Sequence, residues 1–101
     1  MWQAVFFVPL AQMAELPTFN RAVKDMENLP RIDMIATGRN ITRLRKKAGL
    51  NVRELQEAFG FATPQAIYKW QRGMSLPTVD NLLILSVLLG VSLDELIITC
   101  N

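Results

Sequence analysis

From residue 38 onward the chain is stopped four times by glycine, at Gly49, Gly60, Gly73 and Gly90. Each stop is followed within a few residues by a side chain that starts helices: Asn51, Thr63, Thr78 and Ser92. A chain punctuated this way has room only for short helices, and short helices persist only by packing apolar faces together. Helix one is read as Gly38–Lys47, with Ile41, Leu44 and Ala48 on one stripe and Lys46 and Lys47 just before the stop. Helix two opens at Asn51, with Glu54 three residues on as in a capping box, and Val52, Leu55, Ala58 and Phe59 as its buried face. Helix three spans Thr63–Arg72, with Thr63 as cap and Pro64 at the first helical position. Helix four follows Pro77, with Thr78 as cap. Val79, Leu82, Leu83, Leu85, Val87, Leu88 and Leu89 make it apolar nearly all round, so it reads as the central core helix. Helix five opens at Ser92, with Glu95 completing a second box and Leu93, Leu96 and Ile97 facing inward. No strand pattern of useful length appears after residue 38, so this part is expected to be all-α, with five helices over residues 37–98.

A length of 101 residues, half of them hydrophobic, suits one compact core. The chain has no histidine and one cysteine, Cys100. A zinc site needs Cys and His ligands in sets, and Ser-His or Cys-His nucleophilic pairs need a histidine. No metal site, catalytic residue or cofactor is therefore expected, and the chain is not read as an enzyme. A single thiol cannot form an internal disulfide, which fits a reducing cytoplasm.

Residues 1–36 read as an extension or arm. Trp2, Val5, Phe6, Phe7, Val8 and Leu10 form an apolar stretch around Pro9. It is too short to span a bilayer, which needs about 20 apolar residues, and it lacks the cationic start of a signal peptide. Residues 11–14 and 18–28 could each form a helical turn or two, broken by Pro17 and Pro30. A packing arm, a dimerisation element and an adventitious extension all stay open.

The net charge of +2 hides a segregation. Residues 39–73 carry Arg39, Arg43, Arg45, Lys46, Lys47, Arg53, Lys69 and Arg72 against only Glu54 and Glu57. Residues 74–101 carry Asp80, Asp94 and Glu95 and no cation. A basic block between acidic flanks suits a polyanion, although a solvated surface would look the same on charge alone. Helix three separates the two readings better. At about 100° per residue, Gln65, Tyr68, Lys69 and Arg72 share one arc, while Ala66, Ile67 and Trp70 lie opposite. Its polar arc has no acid, whereas ordinary surface helices mix in Glu and Asp. Glutamine can pair with adenine, lysine and arginine with guanine or phosphate, and an aromatic edge can touch a thymine methyl. Trp70 groups with Ile67 and is read as core.

The stretch from Ile41 to Ile97 resembles the Cro/phage-repressor-type helix-turn-helix family, often called XRE. Its landmarks are Leu44-Arg45, Gly49-Leu50-Asn51, Glu54-Leu55, Gln65-Ala66-Ile67, Lys69-Trp70, Arg72-Gly73, Leu76-Pro77, Asp80-Asn81-Leu82 and Leu89-Gly90-Val91-Ser92. The resemblance covers about 60 of 101 residues. It implies a five-helix, lambda-repressor-like fold that binds double-stranded DNA, usually as a homodimer on paired half-sites. Carried over, base readout falls to Pro64, Gln65, Tyr68 and Lys69, and phosphate contacts to Asn51, Arg53, Thr63, Arg72 and Arg43. Pro64 cannot donate a hydrogen bond, so Gln65 bears more of the readout. The turn Gly60–Thr63 looks one residue longer than the tightest in the family. Some members pair the helix-one arginine with a glutamate late in helix three. Here Gln71 stands at the matching position, which leaves Arg45 free to turn toward DNA.

The leading expectation is a sequence-specific transcriptional regulator acting as a repressor. The competing one is an antitoxin-like or other interaction module that binds a partner protein through residues 1–30. Neither involves a membrane.

Overall fold

The computed structural model describes residues 29–100. The apolar stretch at residues 2–10, the proposed turns at 11–14 and 18–28, and most of the segment assigned to a partner protein lie outside the described residues. Residues 31–100 form one compact unit.

The first structural surprise precedes the helices. A two-residue strand β1 (Arg31–Ile32) pairs antiparallel with β2 (Thr99–Cys100), in the register Arg31↔Cys100 and Ile32↔Thr99. Two residues are too few to leave a period-two pattern, so the sequence shows no strand there. The pairing depends instead on side chains of the first helix, α1 (Met34–Lys47). Thr37 is fully buried; its hydroxyl donates to the Ile98 carbonyl at 3.2 Å and accepts the Ile98 N–H at 3.0 Å. Asn40 donates to the carbonyls of Glu95 at 2.7 Å and Leu96 at 3.0 Å. These bonds seat the C-terminal segment on α1 and align the two strands.

Helix α1 starts four residues before the expected Gly38. Asp33 caps it, accepting the Ala36 N–H at 2.9 Å. Helices α2 (Val52–Phe59), α3 (Gln65–Gln71), α4 (Val79–Leu89) and α5 (Leu93–Leu96) follow. The four glycines read as stops all have positive φ. The core is built from Ile41, Leu44, Leu55, Ile67, Trp70, Leu82, Leu85, Leu89 and Leu96. It draws on all five helices, as a bundle of short amphipathic elements must. Ala48 and Ala58, expected to be buried, are exposed. Ala48 lies just past the end of α1, and Ala58 stands next to the last residue of α2.

Helix α4 differs most from its reading. Leu82, Leu85 and Leu89 are buried, but Val79, Leu83, Ile84 and Val87 are exposed. It packs as a surface helix with one face in the core, although its sequence carries apolar residues on both. Thr78 precedes it in extended conformation without capping it, because its hydroxyl donates to the Asp80 carboxylate. That bond, joined by backbone N–H groups, holds the Asp80 carboxyl below its ordinary value against a smaller opposing effect of burial.

Candidate nucleic-acid interface

The α2–α3 pair is fixed by local chemistry before any tertiary contact is counted. Asn51 Oδ1 accepts the Glu54 N–H at 2.8 Å, and Glu54 Oε1 accepts the Asn51 N–H at 3.1 Å. This is the reciprocal box the sequence implied. At the other end of α2 the Phe61 N–H reaches back to the Gln56 carbonyl at 3.1 Å, and Gln56 Nε2 donates to the Phe61 carbonyl at 3.2 Å. Phe61 stacks on Phe59 with centroids 5.0 Å apart, and both rings meet Trp70 edge-on at 5.9 and 5.4 Å. The long turn is therefore anchored to α3 by an aromatic trio. Such pairs contribute about 0.5–1.5 kcal/mol each beyond the area they bury.

Helix α3 begins at Gln65, not at Thr63. Pro64 occupies the cap position with φ −83° and ψ 6°, and no side chain caps the helix. Proline disfavours helical geometry in the residue before it, which keeps Thr63 out of the helix. The first helical bond runs from the Tyr68 N–H to the Pro64 carbonyl at 3.1 Å. Thr63 is exposed on the approach to α3, and the Pro64 ring is half-buried.

The two faces of α3 divide as the angular reading predicted. Ile67 and Trp70 are buried and Ala66 is half-buried, while Gln65, Tyr68 and Lys69 are exposed. Arg72, just past the helix, is exposed too, and its guanidinium lies 5.9 Å from the Tyr68 ring centroid. That is within cation–π range and joins the two side chains on one surface. No acid lies on this face. On α2, Arg53 is 85% exposed and 3.4 Å from Glu57, itself 67% exposed. So open an ion pair holds its partners weakly and leaves Arg53 available to a stronger anion.

Two arginines do not join this group. Arg43 lies about 140° round α1 from Gly38, the residue that faces α3. Its guanidinium donates to Asn40 Oδ1 at 2.7 Å, on the side of α1 that holds α5. The structure thus sets Arg43 apart from the other candidates. Arg45, expected to be free for DNA, is engaged internally. Its Nε donates to Gln71 Oε1 at 3.0 Å and its Nη1 to the Leu50 carbonyl at 2.8 Å. An amide accepts from a guanidinium as well as a carboxylate does in geometry, so loss of the acid did not release the arginine.

The sequence reading also missed Gly38 as a positioning residue. A Cβ there would stand 2.3 Å from the Trp70 carbonyl oxygen and 2.7 Å from that of Gln71. Only a residue without a side chain lets α1 approach the backbone of α3 so closely. The available signal was a glycine inside a helical stretch. Gly73 makes a similar approach: with φ +73° its missing Cβ would meet Ile35 Cα at 2.7 Å.

The family model described as helix-turn-helix matches residues 41–96, more than half of the chain. No curated protein and no solved structure matches it at a significant level. No helix among the described residues is long and apolar enough to cross a membrane.

Proposed function

This chain belongs to the helix-turn-helix family, a family of DNA-binding regulator domains, and from that premise we propose that it is a sequence-specific repressor reading the major groove with α3. The observation that carries the proposal is the acid-free exposed face of α3, where Gln65, Tyr68, Lys69 and Arg72 stand together opposite Ile67 and Trp70. Gln65 and Lys69 supply hydrogen bonds to base edges, and Tyr68 offers an apolar edge and a hydroxyl. Pro64, at the mouth of α3, contributes apolar contact alone. At the N-terminus of α2 the capping box occupies the Asn51 and Glu54 N–H groups, and the N–H groups between them are offered to a phosphate. Arg53, Thr63 and Arg72 flank the face and set register on the sugar-phosphate backbone. Arg43 is left out of this set because its face of α1 is turned toward α5.

Repression follows from occupancy: a protein seated on its operator excludes polymerase. Binding as a homodimer on paired half-sites makes the affinity of two short α3 helices sufficient for specificity. A partner-binding role for residues 1–30 belongs to the same proposal, supported by the apolar run at residues 2–10. Co-purification of a protein that is lost on deleting those residues would support that role.

The test of the DNA reading is selection from a random duplex library with the purified full chain at moderate salt. Enrichment of a motif, repeated in inverted orientation, is expected. A library that stays unenriched would remove the proposal.

A further inference from the structure

Helix α1 carries Arg39, Arg43, Arg45, Lys46 and Lys47 and no acid. Arg45 is engaged internally with Gln71 and Leu50. The other four are exposed. Arg39, Arg43 and Lys47 recur every fourth residue, so they form one row with steps of about 6 Å. The row lies about 100° to 180° round α1 from Gly38, the residue that meets the α3 backbone, and is therefore turned away from α3. A solvated helix face ordinarily interleaves acids three or four residues from its cations. Among the described residues no carboxylate stands within ion-pair distance of this row.

Two clefts adjoin the row. The larger, of about 470 Å³, has Arg43 and Lys47 on its α1 wall and Leu89, Val91 and Glu95 on the other. The smaller, of about 290 Å³, has Arg39 and Arg43 on its α1 wall and Ile98 on the other. Arg43 lines both. Its guanidinium donates to Oδ1 of the buried Asn40 at 2.7 Å, and Asn40 is tied in turn to the carbonyls of Glu95 and Leu96. Those bonds hold Arg43 in place between the clefts before any ligand arrives, which lowers the ordering cost of binding. Each cleft thus sets a cationic wall against an apolar one. Glu95, the one acid among the described lining residues, stands on the second wall and turns other carboxylates toward the first.

That division of walls selects the ligand. In an extended chain successive side chains point to opposite sides, and those on one side recur about every 6.7 Å. Acidic residues at that spacing match the row, while the side chains between them meet the apolar wall. Duplex DNA is polyanionic too, but its phosphate rim has no apolar groups to set against Leu89, Val91 and Ile98. We propose that the two clefts bind an extended segment of another protein in which acidic and apolar residues alternate. Arg39, Arg43 and Lys47 take its carboxylates, and Leu89, Val91 and Ile98 take its apolar side chains. This goes beyond the DNA-binding reading and does not depend on it. With the row turned away from α3, the chain can hold such a partner and a duplex together.

The probe is a short peptide of alternating glutamate and leucine, labelled for fluorescence anisotropy and titrated with the full chain at moderate salt. Saturable binding is expected. A peptide of alternating glutamate and serine, equal in charge, is expected to bind about tenfold more weakly or worse, because it leaves the apolar wall uncovered. Arg39→Glu with Lys47→Glu is expected to weaken the first peptide about tenfold or more. Both side chains are exposed, so the thermal melt is expected to stay in place. Arg39→Gln with Lys47→Gln, a milder change, is expected to weaken it in the same direction. Arg53→Ala is expected to leave peptide binding unchanged, and a random duplex to leave the peptide bound. No binding of the first peptide, equal binding of the second, or indifference to both pairs of substitutions would overturn the proposal. Displacement by the duplex, with duplex affinity falling in Arg39→Glu with Lys47→Glu, would overturn it by assigning the row to nucleic acid. A duplex library that yields no motif while the peptide still binds would remove the DNA reading and leave this one standing.

Discussion

Gln65 and Arg53 are both exposed polar residues of the α2–α3 unit, yet they are expected to fail differently. Gln65 stands at the first position of α3 on its acid-free face, where a side-chain amide can bond two atoms of one base. Gln65→Ala is expected to weaken operator binding by about 1–3 kcal/mol and to relax preference at one base position. A titration showing unchanged affinity and unchanged preference would mean that α3 reads with another edge. Arg53 offers only charge, and its pair with Glu57 is too open to hold it back. Arg53→Ala is expected to weaken specific and random duplexes alike and to lower the salt slope by about one ion. A loss confined to the operator would place Arg53 among the base-reading residues instead.

At the scale of elements, the orientation of α3 depends on contacts that are not themselves on its exposed face. Gly38 lets α1 lie against the α3 backbone, and Arg45 ties Gln71 to the turn before α2. A methyl group at residue 38 would meet backbone carbonyls that cannot rotate aside. Gly38→Ala is therefore expected to destabilise the domain by about 1–3 kcal/mol, despite the better helix propensity of alanine. Chemical denaturation reads this directly, and a neutral or stabilising result would show that α1 and α3 can separate at no cost. Helix boundaries were legible where a capping side chain follows a glycine stop. Asn51 with Glu54 starts α2 as expected, and Ser92 starts α5 by accepting the Glu95 N–H, without the return bond that would make a second box. The start of α3 was not legible, because Thr63-Pro64 looks like a cap followed by a first helical residue. Pro64 itself, with ψ at 6°, lies outside the helical range and takes the cap position, which moves the start to Gln65. The early start of α1 was less legible, because its cap Asp33 follows no glycine stop.

For the molecule as a whole, closure depends on polar side chains that no hydrophobic pattern reveals. Asn40 holds two carbonyls at the end of α5 and orients Arg43. Removing it leaves buried acceptors without a donor. Asn40→Ala is expected to cost about 1–3 kcal/mol and to lower the melting temperature by several degrees. An unchanged melt would mean that the C-terminal segment is held by its apolar contacts alone.

The residues by themselves determined the number and order of the helices after residue 38, the opposed faces of α3 and the basic block that contains it. Those features are local: caps, stops and a 3.6-residue period act within a few positions of one another. Three others were decided only by tertiary packing. Arg45 went to Gln71 because α1 and α3 cross where both can reach. The ribbon of β1 and β2 formed because Thr37 and Asn40 bring residues 95–98 back to the start of α1. Helix α4 looked like the centre of the core because its sequence is apolar on both sides. The fold had only one side of it to bury, and composition alone cannot say which neighbours a helix will find.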